Sequence, residues 1–270
     1  MTTTHTLDVP GARLRYEVRG AGPLLLLMGS PMGAAAFELL ADELANDHTV
    51  LTHDPRGISG SPVHDPDEDS TPEKRADDVA ALIDAVGAES ADVFGTSGGA
   101  MTVLALAARH PGRVRTVVAH EPPVLELLPD ADEQRAGVDD VVDTFHRHGP
   151  MAAFAKFAAH SGLDTEEQGS PGAVGPSSEQ DLVDGARFFA HELRATTRYV
   201  PDVDALTAGP GSVVVGIGAD SGGLQTFRTS HALAGRLGEP PVEFPGGHTG
   251  FLPYPEEFAQ VLRKVLSTGS

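Results

Sequence analysis

The chain is predicted to fold as an α/β domain, a mostly parallel sheet with helices on both faces, and three observations lead there. Leu24-Leu25-Leu26-Leu27-Met28 is a short, wholly apolar run that reads as a strand buried on both sides. Val79, Leu82, Ile83 and Val86 fall at helical spacing. Strand-like Ala91-Asp92-Val93-Phe94 is joined to a helical stretch from Ala100 to His110 by the small-residue turn Gly95-Thr96-Ser97-Gly98-Gly99. Strands that alternate with helices form parallel sheets through right-handed crossovers.

Residues 5 to 19 read as a hairpin split at Pro10-Gly11. A helix over about 34 to 45, with Phe37, Leu40, Ala41 and Leu44 on one face, leads to the strand Thr49-Val50-Leu51-Thr52. Thr71-Pro72 starts the next helix, since the hydroxyl can cap free N–H groups and proline fits the first helical position; Gly87 ends it. Pro111-Gly112 stops the helix after Gly99, and Arg113 to Ala119 forms a strand.

From 122 to 204 the alternation breaks. Helical patterns occur near 136 to 147, 151 to 160 and 179 to 197, and the Gly/Pro/Ser-rich stretch 168 to 178 reads as locally disordered. Alternation resumes with the strand Ser212 to Gly216, a helix near 224 to 237, the strand Val242-Glu243-Phe244 and a helix over 255 to 266. Residues 1–121 and 205–270 are therefore expected to form one core, with 122–204 a helical insertion.

Composition narrows the function. The 270 residues are 40% hydrophobic, enough for one domain with a sizeable core. There is no cysteine, which excludes disulfides, thiolate metal sites and a cysteine nucleophile. A formal net charge of -20 repels phosphate backbones and anionic membranes, so neither nucleic acid nor membrane is an expected partner. Met1-Thr2-Thr3-Thr4-His5 has neither the basic start nor the apolar run of a signal peptide, and a cytoplasmic location is expected.

The turn Gly95-Thr96-Ser97-Gly98-Gly99 carries the chemistry. A G-x-S-x-G turn between strand and helix strains the serine and projects its hydroxyl above the sheet. No lysine stands at the phosphate-loop position and the dinucleotide spacing is incomplete, so Ser97 is the candidate nucleophile. A serine needs a base, and His248, in the small-residue loop Pro245-Gly246-Gly247-His248-Thr249-Gly250 after the last strand, is the candidate among 12 histidines.

Asp220, in the turn after strand Ser212 to Gly216, is the expected orienting acid. Glu121, ending the preceding strand, is its rival, either as the acid or as a pocket residue. The amides of Gly98 and Ser30 are the candidate oxyanion donors. Phe145, Phe154, Phe157, Phe188, Phe189 and Tyr199 could line an apolar pocket or simply pack. His146 and His148, two apart, cannot share a helical face for a metal.

Together these blocks resemble the α/β-hydrolase superfamily. The resemblance rests on Met28-Gly29-Ser30-Pro31 where many members have His-Gly-x-Pro, on Asp54-Pro55-Arg56-Gly57-Ile58-Ser59-Gly60-Ser61, on the Ser97 turn and on the His248 loop. It implies an eight-stranded sheet with a helical cap, and the chain order Ser, Asp, His for the triad. Asp54 and Arg56 are expected to be structural. Members with an aspartate nucleophile, such as haloalkane dehalogenases and epoxide hydrolases, are disfavoured by Ser97.

The expected activity is that of a serine hydrolase acting on an ester-like or other activated carbonyl of a small, largely apolar substrate. No cofactor or metal is called for. Two other readings stay open: a cofactor-free non-hydrolytic enzyme of secondary metabolism (cyclase, carbon-carbon lyase or perhydrolase-like haloperoxidase), and a non-catalytic small-molecule binder.

Overall fold

A computed structural model describes residues 1–163, 176 and 178–268. The N-terminal hairpin pairs β1 (Thr3–Val9) with β2 (Ala12–Gly20), turning at Pro10 and at Gly11, whose φ of +79° suits glycine. The remaining strands are β3 (Leu24–Met28), β4 (Thr49–His53), β5 (Ala91–Thr96), β6 (Val114–His120), β7 (Ser212–Gly218) and β8 (Val242–Phe244). They form one eight-stranded sheet in the order β1-β2-β4-β3-β5-β6-β7-β8, antiparallel at β1, β2 and β4 and parallel from there on.

The leucine run explains the layering. In β3, Leu24, Leu26 and Met28 face one side of the sheet and Leu25 and Leu27 the other, as the two-residue period of a strand requires. The first side is covered by α2 (Pro72–Ala85) and α3 (Gly98–Arg109), the second by α1 (Glu38–Leu44) and α10 (Pro255–Thr268). The helix α2 starts where the sequence places it: Thr71 Oγ1 accepts a hydrogen bond from the Lys74 amide at 3.3 Å, with Pro72 in the first turn.

Between β6 and β7 lie α4 (Ala131–His148), α5 (Pro150–Ser161), α6 (Glu179–His191), α7 (Leu193–Arg198) and α8 (Val203–Ala208); then α9 (Gln225–Leu237) follows β7. Helices α4 to α7 share a core of their own built on Val138, Val141, Val142, Phe188, Phe189 and Leu193. The stretch expected to be disordered lies outside the described residues except for 176 and 178, and Ser178 caps α6. No helix among the described residues is long and apolar enough to cross a membrane.

Three details differ from expectation. The helix from residue 34 opens as a 3-10 turn, Ala34–Phe37, before α1. The single helix expected over 179 to 197 is two, broken at Glu192 (φ -125°, ψ -44°). The helix α8 was not foreseen because six residues with one buried side chain, Leu206, carry no period.

His53 and His120, each the last residue of its strand, are buried, and burial pushes both imidazoles down to about 4. Unfolded, each would take up a proton near its ordinary value of 6.5. Their contribution is therefore present above about pH 6.5 and is lost as pH falls toward 4, by about 3 kcal/mol each. Urea midpoints measured from pH 7 to 4.5 are expected to fall, and His53→Gln to give a shallower fall than the wild type. Equal slopes would rule this account out.

Candidate active site

The sheet reverses its direction of growth at β3. The chain runs from β3 through α1 to β4 on one flank, then crosses back by α2 to β5 on the other flank of β3. Right-handed crossovers in opposite directions put α1 and α2 on opposite faces, so the turns after β3 and β5 meet at an uncovered crevice. Met28 pairs with Gly95 there, bringing Ser30 and Ser97 to the same edge.

Ser97 occupies φ 55°, ψ -124°, a conformation that non-glycine residues rarely adopt. Its amide donates to the His120 carbonyl at 3.0 Å, and α3 begins at the next residue. Glycine at 95 is required by close approach: a Cβ there would lie 2.3 Å from the Gly99 carbonyl oxygen.

The histidine loop after β8 delivers His248, which is buried, to the acid at the end of β6. Glu121 is fully buried and also has a positive φ, 49°. Its Oε1 accepts from the Gly218 amide at 2.8 Å, and its Oε2 accepts from Thr226 Oγ1 at 2.8 Å and from His248 Nδ1 at 2.5 Å. Burial alone would raise this carboxyl, but the charge and hydrogen bond of His248 outweigh it and hold the group well below the usual carboxylate range. An ionised Glu121 accepts only, so the imidazole proton sits on Nδ1 and Nε2 is the basic nitrogen.

Asp220, the carboxylate expected on His248, lies elsewhere. The strand β7 runs on to Gly218, two residues beyond its expected end, and Asp220 emerges on the surface with its amide bonded to the Gly246 carbonyl at 3.0 Å. The carboxylate on His248 is the rival, Glu121. Its sequence signal was its place directly after a strand and before Pro122-Pro123, which gives the tip no room to drift.

Ser30 and Gly98 abut: a Cβ on Gly98 would lie 2.9 Å from the Ser30 carbonyl oxygen and 3.1 Å from its Oγ. Neither amide donates to a described residue. The Ser30-Pro31 peptide is cis. Ser30 Oγ donates to Glu192 Oε2 at 2.7 Å, a partner that no motif marks. Burial pushes the Glu192 carboxyl up, with Arg75 beside it opposing the shift.

Ser30, Ser97, Gly98 and His248 open together onto one cavity. Its walls are Pro123, Val138, Phe157, Leu163, Phe188 and Leu193, with a polar band of His160, Ser161, Thr196, Thr197, Gln225 and Thr226. Of the six aromatics considered, Phe157 and Phe188 line it. Phe145, Phe154 and Phe189 pack within the helical segment, and Tyr199 packs against the sheet-side core. Asp54 is structural, accepting from the Ala34 and Gly60 amides, and Arg56 pairs with buried Asp78. No metal-binding cluster of His, Asp and Glu occurs among the described residues.

The pairing of His248 has a direct spectroscopic consequence. The Nδ1 proton, short-bonded to Glu121, is expected as a strongly deshielded resonance in the proton NMR spectrum, retained in Asp220→Asn and lost in Glu121→Gln. The opposite pattern would return the role to Asp220.

The family model for the alpha/beta hydrolase fold matches residues 22–160. An uncharacterized hydrolase of Bacillus subtilis (strain 168) is 35% identical over 268 residues, covering 97% of this chain and 95% of the relative. The zearalenone hydrolase of Cladophialophora bantiana is 27% identical over 260 residues, covering 94% and 92%. Among solved structures, a thermophilic esterase from Thermogutta terrifontis superposes with a TM-score of 0.77 at 20% identity, over 100% of this chain and 99% of that one. With a matching family model, a relative of 35% identity along nearly its whole length and an eight-stranded sheet of the expected topology, the chain belongs to the alpha/beta hydrolase family.

Proposed function

We propose that the protein is a serine hydrolase that cleaves an ester-like or otherwise activated carbonyl of a small, largely apolar substrate through an acyl-enzyme on Ser97. One observation carries this reading: a serine held in a strained turn and a histidine hydrogen-bonded to a buried carboxylate open onto the same cavity.

In this mechanism His248 Nε2 takes the proton from Ser97 Oγ as the oxygen attacks the carbonyl carbon. Glu121 stabilises the imidazolium that forms. The oxyanion is held by the Gly98 and Ser30 amides. The tetrahedral intermediate collapses, His248 gives its proton to the leaving group, and water attacks the acyl-enzyme by the same route in reverse order. No step uses a cofactor or metal.

The helical segment 122–204 serves as a cap. Its Phe157, Phe188 and Leu193 would bury the apolar part of a substrate, while Thr196, Thr197 and His160 offer a few polar contacts. Hydrolase relatives that align along nearly the whole chain, one of them named for zearalenone, support the hydrolytic reading over a non-hydrolytic one.

Three variants test the assignment with p-nitrophenyl butyrate. Ser97→Ala is expected to lower kcat by about 10⁶-fold and Glu121→Gln by about 10⁴-fold. Asp220→Asn should stay within about twofold, as for a surface residue. Wild-type rates in Ser97→Ala would defeat the proposal. A histidine base also makes kcat/KM fall as pH drops through the histidine range, and a profile flat from pH 8 to 5 with chemistry rate-limiting would contradict it. In ¹⁸O-labelled water the acid product should carry solvent oxygen; a product without it would mean non-hydrolytic chemistry.

A further inference from the structure

The helix expected to run unbroken over 179 to 197 is interrupted at Glu192, and at that break the carboxyl turns inward to a fully buried site between the helical segment and the sheet. There its Oε2 accepts the hydrogen bond from Ser30 Oγ at 2.7 Å and lies 3.6 Å from Arg75 Nη1. Arg75, in α2, is buried too. Its Nε donates to Thr102 Oγ1 at 3.0 Å, Nη1 to the Ser70 carbonyl at 2.8 Å, and Nη2 to Thr196 Oγ1 at 2.9 Å. Thr196 lies one turn beyond Glu192, with its amide bonded to the Glu192 carbonyl at 2.8 Å. An ion pair this deep is costly to bury, and removing one partner leaves the other charge buried and uncompensated.

Ser30 faces the cavity and Glu192 does not line it; the Glu192 carboxylate is tied to the Ser97 edge of the site through the Ser30 hydroxyl. The loop after β3 is anchored at its far end by the Ala34 amide on Asp54 Oδ1, at 2.8 Å. Nearer the cavity, the tie on Ser30 comes from a residue 162 positions away. An unpaired carboxylate so close to a developing oxyanion would oppose it, and Arg75 offsets that charge. What remains is a directional hydrogen bond that holds the Ser30 side chain in one rotamer.

We propose that Glu192 is a positioning residue, which through the Ser30 hydroxyl aims the Ser30 amide at the oxyanion and couples the helical segment to catalysis. The inference rests on the serine-hydrolase reading and adds a residue to it. A donor fixed in this way matters in the transition state more than in substrate binding, so its loss should appear in kcat and leave KM nearly unchanged.

The test uses Ser30→Ala, Glu192→Gln and the double variant of the full chain, with thermal unfolding recorded for each. Ser30→Ala is expected to lower kcat on p-nitrophenyl butyrate about ten- to a hundredfold with KM within about twofold. It should weaken a trifluoromethyl ketone, whose hydrated or serine-bound form carries the tetrahedral oxygen, by a similar factor. Once the Ser30 hydroxyl is gone, Glu192→Gln should cost no further kcat. Additive losses of kcat, a change confined to KM, or a lowered unfolding temperature with kcat and inhibition intact would overturn the positioning role. The serine-hydrolase reading stands or falls separately, on whether Ser97→Ala is inert.

Discussion

The carboxylate of Glu121 is buried without access to water, and it is tolerable there only because three donors converge on it. Two of these, the Gly218 amide and the Thr226 hydroxyl, come from the β7 tip and the start of α9. The third is His248. The last strands and helices of the chain are thus bound to the end of β6 by one ionised group, which also fixes the imidazole tautomer. If the acid were neutral or absent, the histidine would lose both its orientation and the charge that supports its protonated form.

Strain supports the same edge. Three non-glycine residues among those described have positive φ, namely Ser59, Ser97 and Glu121, and two of them carry the proposed chemistry. Each such residue costs about 1 to 3 kcal/mol and persists only where surrounding packing leaves no alternative. At Ser97 that packing is the contact of Gly95 with the first turn of α3, and at Glu121 it is the hydrogen-bonded carboxylate just described. The cavity is closed on its other side by helices with their own apolar core, and these reach the loop after β3 through the buried Arg75, Glu192 and Ser30 cluster.

The strands were legible in the sequence because short apolar runs have one solution in a sheet covered on both faces. The run 24 to 28 and the turn 95 to 99 alone fix the crevice. That Ser97 and His248 come to one cavity could be read for the same reason, since each sits in a run of small residues at the end of a strand. The choice between Asp220 and Glu121 was not legible, because it depends on whether β7 ends at 216 or at 218, and a strand extended by Ile217 and Gly218 has no sharp signal there. Glu192 was illegible for a deeper reason. In an amphipathic helical pattern a glutamate reads as solvent-facing, and only the distant Arg75 and Ser30 make an inward turn favourable.

The most direct measurement is mass spectrometry of the protein quenched during turnover of an aryl ester with a hindered, slowly released acyl group. The account requires one added acyl mass, on the peptide containing Ser97, that disappears with time as free acid accumulates. An acyl mass on another residue, or product formed with no modified protein at any time under conditions where deacylation limits the rate, would contradict it.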